Sequence, residues 1–252
     1  MSGIVAWLAI QLGKLLFLPE PAWTLDDEKR RAFDQALEAM IEAPAGSAPG
    51  YPCPYPKWEY LRYLTRHKGM VLHGSNRGDI DVLRPQEQTD FSGRRITAVF
   101  GTRDAIWPLF FATLNTAGYR GSLRNGCWVM AARGGGQRHP ALGGQRHPAL
   151  GERRFYFFSV NRDRLGPGLW TEGTVYILPG DTFEKTDTAA VRFDEWASRT
   201  AVTPVARLAV QPGDFPFAGQ VAGHREGEPM PRSWLCYKRR LRIRAAADKG
   251  CG

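Results

Sequence analysis

The chain has 252 residues, a formal charge of +9 and an apolar fraction of 43%. That apolar content supports a packed core and excludes a disordered chain, while 28 glycines and 18 prolines point to many turns and short elements rather than long helices. The positive charge favours polyanions, nucleic acids, acidic membranes or phosphate-bearing ligands as partners.

The N-terminus opens on the apolar run Ile4-Val5-Ala6-Trp7-Leu8-Ala9-Ile10 and continues through Leu15-Leu16-Phe17-Leu18, interrupted by Gln11, Gly13 and Lys14. It is too short and too polar in the middle for a transmembrane helix, and no positive charge precedes it as a secretory signal would require. An amphipathic or docking segment is expected. Thr24 is placed to cap a helix whose first turn holds Asp26, Asp27 and Glu28, with Phe33, Leu37, Met40 and Ile41 at helical spacing. Pro44 and the Ala/Gly/Ser-rich residues after it form a linker. Residues 1–50 are therefore expected to be a helical segment and its linker.

A second helix is expected from Pro56, with Trp58, Leu61 and Leu64 on one face and Lys68-Gly69 as its stop. A short strand, Met70 to His73, follows and is broken by Gly74. Another strand covers Thr97 to Gly101. Asp104 then caps a helix bearing Ile106, Trp107, Phe110, Phe111 and Leu114. An eight-residue stretch beginning at Gly135 recurs from Gly143 to Leu150, read as a duplicated loop insertion near 133–152 whose His139 and His147 are weak metal-ligand candidates; no metal site is assigned. Strands resume at Arg154–Val160, Thr174–Leu178 and Ala206–Val210. Helices in the first third followed by short strands predict an α+β fold. Lys238 to Arg244 concentrates positive charge near the end, so residues 226–252 are expected to be a basic tail, either solvated or in contact with nucleic acid or an acidic partner.

The four cysteines are far apart, which excludes a close-spaced zinc site and fits reduced thiols in the cytoplasm. The phosphate-binding loop, the dinucleotide glycine fingerprint, the nucleophile elbow and His-Glu-x-x-His are absent, so the common nucleotide hydrolases, dehydrogenases, esterases and zinc proteases lose weight.

Three features remain: His73-Gly74-Ser75 at a strand end, Val99-Phe100-Gly101-Thr102 leading into an aromatic helix, and Glu195 in Phe193-Asp194-Glu195-Trp196. Their order resembles the diphtheria-toxin-like and poly(ADP-ribose)-polymerase-like class of ADP-ribosyltransferases, over roughly Trp58 to Val210. The resemblance implies a split β-sheet core over residues 51–225 and NAD as substrate. It implies that His73 bonds the ribose beside nicotinamide, that Gly74 offers main-chain groups to the carboxamide without an obstructing side chain, and that Ser75 adds a hydroxyl. It places Phe100 at the cofactor and puts the stacking ring on Phe110, with Phe111 as the alternative; phenylalanine here replaces the class's tyrosine. The catalytic carboxylate falls on Glu195, with Glu172 as its competitor. The reaction implied is ADP-ribosyl transfer, in which a carboxylate stabilises oxocarbenium-like charge. The acceptor is left open among protein, nucleic acid and small molecule. The alternatives are a non-enzymatic nucleic-acid-binding module and an inactive NAD-binding scaffold of the same fold.

Overall fold

A computed structural model describes residues 3–43, 50–89, 93–131, 152–166, 168–186 and 192–250. The duplicated segment, with His139 and His147, lies outside the described residues. The helices are α1 (Gly3–Leu16), α2 (Asp27–Glu42), α3 (Lys57–His67), α4 (Trp107–Thr113) and α5 (Met230–Gly250). The strands are β1 (Leu18–Pro19), β2 (Val71–Ser75), β3 (Gln86–Thr89), β4 (Arg95–Gly101), β5 (Arg124–Ala131), β6 (Glu152–Asn161), β7 (Gly173–Leu178), β8 (Glu184–Lys185), β9 (Arg192–Phe193), β10 (Trp196–Ser198), β11 (Ala206–Val210) and β12 (Ala222–His224). The protein is mixed α and β, and among the described residues its strand pairings are antiparallel except for β12 against β6.

Three sheets form. The first runs β1-β6-β5-β9 with β12 also on β6, the second β3-β4-β10-β8, and the third β11-β7-β2. A bridge between Leu72 and Thr102 ties the third sheet to the second. Strand β6 is the spine of the core, because every residue from Phe155 to Val160 is buried. Its alternating side chains supply two faces. Phe155 and Phe157 meet α1 and α5, with Gly13 seated on the Phe155 ring and Phe157 4.8 Å from Tyr237 between centroids. Tyr156 and Phe158 face α4 and the Phe215-to-Phe217 turn, with Phe158 4.8 Å from Phe110. Fully burying each such side chain contributes about 1.5–3 kcal/mol.

Several expectations are corrected. Helix α2 is capped by Asp26, whose side chain accepts from the Lys29 N–H at 2.8 Å, and not by Thr24. Gly74 does not break β2: Gly74 and Ser75 pair with Val175 and Thr174. Residues 226–252 are not a solvated tail, because they carry α5, anchored by the fully buried Tyr237. The N-terminal helical segment shares one core with the rest of the chain, since Phe17, Phe33 and Met40 belong to the same buried cluster as Phe155 and Tyr237.

The parallel β12–β6 contact is locked by His224, which has no exposed surface. Ser159 Oγ donates to the Ala222 carbonyl at 3.1 Å, so it accepts from His224 Nδ1 at 2.8 Å, and Nε2 lies 2.7 Å from Ser122 Oγ, a hydroxyl that also donates to Asn161 Oδ1 at 3.0 Å. Burial first, then the nearby Arg124, pushes this imidazole down to about 4 from 6.5. Burial likewise lowers His73, partly offset by its bond to the Phe100 carbonyl. Between 6.5 and 4 the unfolded chain therefore binds more protons than the folded one, and stability falls as pH falls. Below 4.5 the loss continues through Glu228, held at about 2 chiefly by Arg240. Denaturant titrations across this range should show both limbs. His224→Asn should flatten part of the upper limb and leave the lower one; an unchanged upper limb would contradict the assignment.

Candidate functional site

Strand β4 lies between the elements that carry the sequence-predicted residues. Along one edge, Gly101, Phe100 and Val99 pair with Trp196, Ala197 and Ser198 of β10, which fixes Glu195 just ahead of that strand. On its other side, Leu72 and Thr102 exchange main-chain bonds at 2.8 and 2.9 Å, and His73 Nδ1 sits 2.9 Å from the Phe100 carbonyl. Residues 122 positions apart in the sequence, His73 and Glu195, thus reach one place. Together with Gly74, Phe100, Trp107 and Phe111 they help line a cavity of about 230 Å³.

The imidazole is oriented by its main-chain bond. A carbonyl only accepts, so Nδ1 carries the proton and, in the neutral ring favoured by burial, Nε2 is an acceptor. The Glu195 carboxylate is held by Thr186, whose hydroxyl donates to Oε1 at 2.8 Å. Trp107 is fixed by its indole N–H on Asn125 Oδ1 at 2.6 Å. The cavity therefore offers a neutral acceptor, a carboxylate and an aromatic wall.

Helix α4 supplies that wall, and two glycines let it approach. A Cβ on Gly74 would lie 2.0 Å from the Pro108 carbonyl oxygen, and one on Gly173 would lie 1.9 Å from that of Ala112. Close packing of helix backbone onto β2 and β7 thus requires glycine, a reason different from the expected avoidance of a ligand. Gly74→Ala should cost about 1–3 kcal/mol or more through forced separation of α4 from β2. Chemical denaturation checks this; a stability equal to the parent would contradict the packing account.

A buried charge cluster sets the two walls relative to each other. Asp104 accepts the main-chain N–H groups of Ile106 and Trp107 on Oδ1, at 2.8 and 2.6 Å, and so satisfies donors at the start of α4 from two residues ahead of its N-cap position, Ile106. Its Oδ2 takes the Tyr156 hydroxyl at 2.6 Å and lies 3.2 Å from Arg154. The same guanidinium pairs with Asp194, the residue before Glu195. Asp194 also accepts the Trp196 indole N–H at 2.7 Å. Burial alone would raise the Asp194 carboxyl, but Arg154 and Lys185 hold it below the usual range.

The predicted residues divide as follows. His73, Gly74, Phe100 and Glu195 line the cavity. Phe110 does not: it is fully buried against Phe158 and Phe215, and the adjacent Phe111 faces the cavity instead. Ser75 lies outside the lining, its hydroxyl accepting from the Arg77 N–H at 3.1 Å. Glu172 is exposed ahead of β7 and also lies outside the lining. Trp107, Gln88 and Thr89 join the lining without having been singled out for it. A second groove of about 320 Å³ on the β3-β4-β10-β8 sheet is lined by Arg94, Lys185 and Arg199, together with Glu184 and threonines that include Thr186. Among the described residues no group of three or more His, Cys, Asp or Glu side chains is placed to hold a metal ion.

Comparison with known protein families, curated proteins and solved structures finds no match for this chain.

Proposed function

We propose that the chain cleaves the nicotinamide–ribose bond of NAD and transfers ADP-ribose to an acceptor. The observation that carries this reading is the convergence of His73, Gly74, Phe111 and Glu195 on one cavity, in the order that the resemblance to ADP-ribosyltransferases implies. At about 230 Å³ the cavity is smaller than the ~300–1,000 Å³ usual for drug-sized ligands. It suits the nicotinamide and its ribose, with the adenosine half lying outside.

In this reading the ring stacks beside Phe111, and His73 Nε2 accepts a ribose hydroxyl. As the glycosidic bond breaks, nicotinamide leaves with the bonding pair and positive charge develops on the ribose. The Glu195 carboxylate, oriented by Thr186, stabilises that charge. An acceptor oxygen or nitrogen then bonds the anomeric carbon and loses its proton. Phenylalanine keeps the stacking surface of the class's tyrosine and forgoes its hydroxyl. The test is nicotinamide release from NAD by the purified full chain, alone and with protein, nucleic-acid and small-molecule acceptors. Release above the buffer rate is expected; none with any acceptor, despite NAD binding, would leave an inactive scaffold.

A second reading is polyanion binding without chemistry, favoured by the groove of Arg94, Lys185 and Arg199. It predicts nucleic-acid binding that weakens steeply with salt and is indifferent to Glu195→Gln.

A further inference from the structure

Seven large hydrophobic side chains are exposed among the described residues, and five of them lie on α1 and α5: Leu12, Leu15, Met230, Leu235 and Ile243. Leu235 and Leu15 are the most open, at 70% and 67%. On α5 the exposed positions Arg232, Leu235, Arg239, Arg242 and Ile243 follow one another at helical spacing and form a single stripe. Lys238 joins this stripe to α1. Its ammonium donates to the Lys14 carbonyl at 2.8 Å, next to Leu15 in the chain. Lys238 itself stands three residues after Leu235 and four before Arg242, so those side chains are its neighbours on the helix surface. The opposite faces are spent on the core, through Gly13 of α1 and Phe17 just after it and through Ser233 and Tyr237 of α5.

We infer that this α1–α5 face docks on an anionic lipid bilayer. Leucine and isoleucine interleaved with arginine match acyl chains and acidic headgroups at one depth. Helix α1 carries no acidic residue between Gly3 and Leu16. Just ahead of α5, Glu228 is neutralised by Arg240, and among the described residues neither Arg239 nor Arg242 forms an ion pair. A nucleic-acid backbone would meet the arginines but offers nothing to Leu15, Leu235 and Ile243. A second copy across a two-fold axis would set the same arginine stripe against itself. The helices lie on the bilayer and do not cross it. The 14 residues of α1 extend about 21 Å, short of the ~30 Å hydrocarbon core, and no described helix is long and apolar enough to span. The inference is independent of any NAD chemistry.

The test is co-sedimentation of the full chain with phosphatidylcholine vesicles, with and without phosphatidylglycerol. Binding is expected only to the acidic vesicles, weakened by salt and by Arg239→Glu/Arg242→Glu. Leu235→Glu/Ile243→Glu, at exposed positions and with an unchanged melting curve, should bind at least about tenfold more weakly. No binding to acidic vesicles at low salt, or equal binding by the leucine/isoleucine variant, would overturn the inference. So would duplex DNA binding, or concentration-dependent dimerisation abolished by that variant, in the absence of vesicle binding.

Discussion

Arg154→Met should destabilise the protein by about 3–5 kcal/mol, because it strands two buried carboxylates. Asp104 and Asp194 are 1% and 2% exposed, and Arg154 is the cation between them. In a chain of this size about 2–4 °C of melting temperature goes with each kcal/mol, so the midpoint should drop by at least about 6 °C. Methionine fills much of the same space, so the loss is of charge compensation more than of packing. Adding Asp104→Asn and Asp194→Asn to the same chain should restore much of the stability, since removing a whole buried ionic group is often neutral and an asparagine amide oxygen can still accept the Ile106 and Trp107 N–H groups. Thermal melts of the single and triple variants decide this. A single variant within about 2 °C of the parent would mean that the cluster does not hold α4 to the Glu195 segment.

Glu195→Gln should leave the melting temperature and NAD affinity near those of the parent and lower the turnover number by about 10²–10³-fold, the effect of removing an electrostatic group aimed at developing charge. Glutamine keeps the size of the side chain and an oxygen for the Thr186 hydroxyl, so the cavity keeps its shape. The loss should fall on kcat with KM little changed, as for an interaction made in the transition state. Glu172→Gln, altering an exposed residue outside the cavity, should turn over like the parent. Full activity in Glu195→Gln, or a comparable loss in Glu172→Gln, would move the carboxylate role elsewhere.

The local part of this architecture is legible in the sequence. Helical spacing marks α2 and α3, and β-rich runs mark β4, β6, β7 and β11 within a residue or two of their observed ends. Strand β5 is not legible. It opens Arg124-Asn125-Gly126, residues that read as a turn, and it is a strand because β6 and β9 pair with its two edges. The site is legible in part. His73 and Glu195 carry the motif, but their meeting depends on β4 lying between them. Phe110 and Phe111 are adjacent on a short helix, and only the position of Phe158 and Phe215 decides which ring turns inward. The Asp104–Arg154–Asp194 cluster is invisible to pattern reading, because charged residues far apart in sequence read as surface until a fold buries them together.

The most direct test of the central claim is a crystal of the full chain soaked with NAD. Difference density for the nicotinamide is expected in the cavity, beside the Gly74 main chain and the Phe111 ring, with its ribose within hydrogen-bonding reach of His73 and Glu195. An empty cavity at saturating NAD, or NAD bound at another surface, would contradict the account.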